Sequence, residues 1–109
     1  MSRDLRFRDG QRIQILLSLQ VALLGEIHPS VRKIGLDWSD EWLRVVIFHD
    51  GEVDEEATES ASCVETELSA SLPEYEVAVE TRRFDAPRPI QSVEGVREWV
   101  YARWEPESS

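Results

Sequence analysis

The chain has 109 residues and a formal charge of −10, with 41% hydrophobic residues and a single cysteine, Cys63. That length suits one domain (residues 1–109) around one core, and the apolar content in regular spacing argues against a disordered chain. A lone cysteine excludes an internal disulfide framework and a cysteine-rich metal knuckle, and it suits a reducing compartment. The charge is one-sided: residues 1–50 hold seven acids and seven bases, whereas residues 51–109 hold fifteen acids and five bases. No lysine or arginine falls between Val45 and Thr81. Such a surface repels phosphate backbones and anionic lipid and draws in cationic partners, so neither nucleic acid nor membrane is expected as a partner. The plainer reading of the same charge is solubility. The longest apolar run, residues 13–27, is broken by Ser18, Gln20, Gly25 and Glu26, too short and too interrupted to span a bilayer. No small-residue cleavage site of the Ala-x-Ala type follows it. The expected location is the cytoplasm.

Residues 1–9 are polar and basic, with Leu5 and Phe7 alternating, and read as an arm or a short extra strand. A first helix is expected from Asp9 or Gly10 to Ile27. Ile13, Leu16, Leu17, Gln20, Leu23, Leu24 and Ile27 recur on its core-facing stripe, and Val21 widens it. His28-Pro29 is the expected stop, because the residue before proline is pushed out of the helical region. Residues 31–38 alternate as a strand. Ser39, Asp40 and Glu41 carry turn chemistry, and residues 42–49 (WLRVVIFH) form a second strand, making a hairpin closed by Asp50-Gly51. A second helix spans residues 54–72, with Val53, Ala57, Ala61, Val64, Leu68 and Leu72 on one stripe and Asp54, Glu55 and Glu56 at the positive end of its dipole. Residues 75–84 form a third strand. Residues 85–95, with Pro87, Pro89 and Gly95, form a loop, and residues 98–104 a fourth strand, with a helical turn over 92–99 as the alternative. Residues 105–109 are a polar tail. The order αββαββ implies an α+β two-layer sandwich, with two helices on one face of a four-stranded, mainly antiparallel sheet. The expected strand order is 3-4-2-1, with two hairpins.

No catalytic constellation emerges. Counted from Asp50, the sixth and twelfth positions of a calcium loop are Glu55 and Ala61, where that loop needs glycine and a bidentate glutamate. No metal site and no cofactor is expected. His28 and His49 are the only histidines, at the ends of the first helix and second strand. Asp50 is placed to orient His49 as a general base, but no nucleophile motif accompanies either ring, and Cys63 among glutamates is a poor thiolate. The five glycines are isolated, so there is no phosphate loop. The chain reads as a non-enzyme.

The surface is more informative. On the second strand Trp42, Arg44, Val46 and Phe48 share one side and Leu43, Val45, Ile47 and His49 the other; both are too apolar for plain solvent exposure. With both helices on one face, the other face is expected to be open, for a partner or for a second copy of the chain. Trp99 and Tyr101 fall on one face of the fourth strand by alternation. The candidate partner-binding residues are therefore Glu55, Glu56, Glu59 and Glu67 on the second helix, with Trp42, Phe48, Trp99 and Tyr101 as aromatic anchors.

Three segments carry a resemblance: residues 23–38 (LLGEIHPSVRKIGLDW), 48–77 (FHDGEVDEEATESASCVETELSASLPEYEV) and 85–105 (DAPRPIQSVEGVREWVYARWE). A Leu-Leu-Gly step before proline, a Phe-x-Asp-Gly end to a strand (Phe48, Asp50, Gly51) and a closing Trp-Val-Tyr strand (Trp99, Val100, Tyr101) mark it. Over residues 13–105 the chain resembles small bacterial αββαββ immunity proteins of contact-dependent growth inhibition and other polymorphic toxin systems. The arginine-rich start, Arg3 to Arg12, departs from that pattern. The resemblance implies no catalytic residues. It implies stoichiometric inhibition of a cognate toxin domain, in many such systems a nuclease with a cationic surface. The alternative class is a structural or regulatory protein that homodimerises through the open sheet face.

Overall fold

The computed structural model describes residues 2–91, 93 and 95–106, with residues 2–9 described by backbone alone. Six elements follow in order: α1 (Ser2–Ala22), β1 (Val31–Trp38), β2 (Trp42–His49), α2 (Glu55–Ser71), β3 (Glu76–Arg83) and β4 (Glu98–Ala102). The α+β class and the element order match expectation. The first nine residues are not an arm or a strand: α1 already runs from Ser2. The helix also ends earlier than expected. Gly25 takes a positive φ of 79°, and the chain turns there, with Glu26 donating its backbone N–H to the Leu23 carbonyl (3.0 Å). A glycine in the left-handed region stops the helix before Pro29 can act. The end of the expected polar tail, residues 107–109, lies outside the described residues, as do Ser92 and Glu94 and the side chains of Leu5, Phe7, Arg3, Arg6 and Arg8.

The sheet is mixed, in the order β3-β2-β1-β4. β1 pairs antiparallel with both β2 and β4, whereas β2 and β3 are parallel, with Trp42 opposite Glu76 and His49 opposite Arg83. The expected order and second hairpin are therefore corrected. Helix α2 returns the chain to the start of β2, so β3 runs in the direction of that strand in either arrangement. The difference lies in β4, which reaches the far edge of β1 because the chain after β3 crosses the second sheet face and buries Val46 and Phe48, which a hairpin would leave bare. A strand buried on both faces belongs in the middle of a sheet. In β2, Leu43, Val45, Ile47 and His49 are buried on one side and Val46 and Phe48 on the other.

On one face, Ile15, Leu19, Ala22 and Leu23 of the first helical segment join Ala61, Val64, Leu68 and Leu72 over Ile34, Leu36, Leu43, Val45 and Ile47. The α2 stripe is the one read from spacing, and Asp54 caps the helix by accepting from Ala57 N (2.9 Å). The α1 stripe is not. Ile13, Leu17 and Leu24, assigned to the core by periodicity, are 52%, 58% and 72% exposed. Helix α1 is apolar over a wider arc than one face, and spacing alone cannot choose which half of that arc turns inward.

The second sheet face is not open. Strands β3 and β4 run in the same direction at opposite edges, so residues 84–97 must traverse the sheet. They lay Phe84, Ile90, Val93 and Val96 on Val46, Phe48 and Trp99. Gly35 lets this segment close down, since a Cβ there would sit 2.7 Å from a Val96 methyl.

Arg32 fastens the segment. The register shifts between Val31 and Lys33, so that Val31 faces the helix layer while Arg32 turns to the other side. Its guanidinium, 3% exposed, donates to both carboxylate oxygens of Glu105 (2.8 Å each) and to the carbonyls of Phe84 (2.7 Å) and Arg88 (2.8 Å). Those bonds and the nearby Arg103 hold the Glu105 carboxyl down at about 2, from an ordinary 4.5.

Two outcomes test this account. Val64, fully buried, lies on the inward stripe of α2; Val64→Asp places an unpaired charge there, and thermal melting should lose its cooperative transition. Glu105→Gln should cost about 2–3 kcal/mol in urea unfolding at pH 7, because it leaves the buried Arg32 without its counter-charge. The folded carboxyl lies below its unfolded value. The parent's advantage is thus complete above pH 4.5 and fades as the pH falls towards about 2. A constant gap across that window would show that Glu105 acts by packing instead of charge.

Candidate partner-binding surface

The histidines occupy structural positions. His49 is 2% exposed, and its Nδ1 lies 3.1 Å from Ser30 Oγ; burial first, then the nearby His28, lowers its pKa from 6.5. Asp50 does not orient it. The Asp50 carboxylate instead accepts from Ala86 N (3.1 Å) and pairs with Arg103 (3.3 Å), while Gly51, at φ 87°, donates its N–H to Asp85 (2.8 Å). The Phe-x-Asp-Gly motif is thus a splice between the end of β2 and the segment that crosses the sheet: Phe48 packs on Phe84 and Trp99, and Asp50 and Gly51 tie down residues 85 and 86. His28 Nε2 lies 2.6 Å from Ser60 Oγ, a pairing that motif reading missed because the two are brought together only by the fold. It joins α2 to the turn after α1, and no third group orients the ring among the described residues. No cluster of three metal-ligating side chains occurs among the described residues either.

The acidic band divides into two groups. Asp54 caps α2, Glu65 accepts from Val79 N (2.9 Å) at the outer edge of β3, and Glu80 pairs with Arg44 and Arg82. Glu55, Glu56, Glu59 and Glu67 are all exposed, and none enters an ion pair among the described residues. These four are the ones singled out from the sequence. Glu59 and Glu67 line a groove between α1 and α2, opposite Val21 and Leu24, with Ser62, Cys63 and Thr66 on its floor and wall.

The aromatic residues are scattered. Trp42 is 42% exposed at the start of β2, beside the hairpin turn. Phe48 is 1% exposed beneath the crossing segment, so it offers no contact surface. Trp99 is half-buried in the same cluster, with the Lys33 ammonium 4.4 Å from its ring centre. Tyr101 packs on the helix-side core instead. The shared face expected for Trp99 and Tyr101 is broken by a bulge: Ile34 and Gly35 oppose Tyr101 and Trp99, leaving Val100 as an extra residue. Tyr101 then lines a second groove, on the other flank of α1, with Leu16, Leu23, Leu24 and Ile27.

The surface that sequence reading missed is α1 itself. Ile13, Leu17 and Val21, spaced by four, face outward together, and Leu24 continues the line beyond the helix end. The signal was present as too many apolar residues for one stripe.

Residues 12–105 match the MafI2 immunity protein family. The chain belongs to this family. The match spans all six elements apart from the first turns of α1, and nearly coincides with the stretch of the motif resemblance. No curated protein matches the chain. Membership in an immunity protein family makes surface, not pocket chemistry, the place to look for function. No helix among the described residues is long and apolar enough to cross a membrane.

Proposed function

We propose that this MafI2 family member is a cytoplasmic, non-enzymatic inhibitor that binds one cognate toxin domain and neutralises it, and that the toxin is a nuclease. The observation that carries the second half is the set of four exposed acids on α2 that enter no ion pair among the described residues, in a chain of charge −10. A nuclease presents a cationic surface that holds phosphates. An acidic protein is steered towards such a surface and, once seated, screens it from its substrate. Asp54, Glu65 and Glu80 are occupied within the fold, so Glu55, Glu56, Glu59 and Glu67 form the steering field. Trp42, exposed next to the hairpin turn, is a candidate aromatic anchor for the same partner. The system would be of the contact-dependent or polymorphic type, with the toxin encoded beside its inhibitor. The alternative of dimerisation through an open sheet face loses its premise, because Phe84, Ile90, Val93 and Val96 cover that face.

Changing Glu55, Glu56, Glu59 and Glu67 together to glutamine tests the steering. Volume and helix propensity are nearly kept, and the loss at the first turn is on the order of 1 kcal/mol. Stopped-flow association with the toxin domain of the adjacent reading frame should slow about tenfold or more at low salt, and added salt should close the gap. An unchanged rate at low salt would reduce the acids to a solubility feature.

A further inference from the structure

Resting on the immunity reading, we propose that the outward ridge of α1 is the core of the toxin interface, and that the toxin meets it with an apolar patch rimmed by lysine or arginine. The ridge is Ile13, Leu17, Val21 and Leu24, between 52% and 72% exposed, continued by Ile27 at the turn. From Ile13 to Val21 it runs about 12 Å along the helix. Contiguous apolar surface of this kind on a small protein marks an interaction site, because burying these side chains against a partner removes apolar area from water. It is also held rigidly. Gln11 donates to Tyr75 Oη (2.8 Å) and to the Ser39 carbonyl (3.2 Å), and Arg12 forms a two-point pair with Glu98 (2.9 and 2.7 Å), which fix α1 to the hairpin turn and to β4.

Charge selects the occupant. One wall of the ridge is the α2 side, where Glu59 and Glu67 face Val21 and Leu24 across the groove. A basic rim on the partner matches that wall. A second copy of this chain does not: each copy carries −10, and an antiparallel two-fold pairing along α1 sets each α2 wall against its own duplicate, acid against acid. The ridge and the acids thus divide the work, apolar burial holding the complex and charge speeding its formation.

The test uses the full chain and the purified toxin domain of the adjacent reading frame. Leu17→Gln with Val21→Gln should leave the thermal melt near the parent's, since both side chains already face water, yet weaken toxin binding at least ~100-fold, mainly through faster dissociation and at all salt concentrations. A measurement on the unaltered protein is independent of how the variant folds. Cys63 is exposed on the acidic side of the groove, so toxin binding should protect it from alkylation, read by mass spectrometry of its peptide. A toxin that binds the parent tightly but leaves Cys63 reactive and tolerates the double variant overturns the ridge while leaving the immunity reading in place. A parent that does not bind that toxin overturns both. A parent dimer in sedimentation, dissolved by the double variant while toxin affinity stays unchanged, assigns the ridge to a second copy and overturns the proposal.

Discussion

The Arg32 guanidinium is the contact on which the rest of this fold depends. A charge buried to 3% exposure is tolerable only when its donors are met, and here they are met by the carbonyls of Phe84 and Arg88 and by the Glu105 carboxylate. Those acceptors come from two segments outside the helices and strands, the start of the sheet crossing and the stretch after β4. One side chain therefore converts loose chain into a lid on the second sheet face. Asp50, Gly51 and Arg103 extend the same network to the end of β2. With that face closed over Val46 and Phe48, most of the exposed large apolar side chains among the described residues lie on α1 and the turn that follows it.

This arrangement separates what the acids do. Where a carboxylate meets a backbone N–H or an arginine, as for Asp54, Glu65, Glu80, Asp85 and Glu105, it closes an edge or a cap. Where it meets neither among the described residues, as on the outer face of α2, its field extends into solvent. The long interval without a cation between Val45 and Thr81 matters for that reason. Helix α2 has no basic residue in its last turn or anywhere else to pair at i+4.

Helix α1 serves two surfaces at once. Ile15, Leu19, Ala22 and Leu23 close the core against α2 and the sheet, while Ile13, Leu17 and Val21 line the outer side. A helix built this way is docked on one side and still carries an apolar face towards solvent. Its exit at Gly25 places Leu24 and Ile27 beside Tyr101, so the groove towards β4 is apolar as well.

The sequence by itself determined the elements. The strand bounds of β1 and β2, the α2 stripe with its Asp54 cap, the αββαββ order and the exposed acids Glu55, Glu56, Glu59 and Glu67 all follow from local spacing, capping and charge, which are properties of neighbouring residues. The three motif segments likewise pointed to an immunity family, and Phe48, Asp50 and Gly51 of one of them join the end of β2 to the crossing segment. Only the tertiary structure decided how the elements pair and face. Alternation along β3 and β4 is compatible with a hairpin or with opposite edges, and the packing of Phe84, Ile90, Val93 and Val96 across Val46 and Phe48 goes with the latter. A bulge of one residue at Val100 sent Trp99 and Tyr101 to different faces, and another at Arg32 aimed that side chain at the lid. Such shifts are set by contacts between distant segments, so no local pattern carries them. The same holds for α1: its residues are apolar on both sides, and only the position of α2 and the sheet decided which side was left facing solvent.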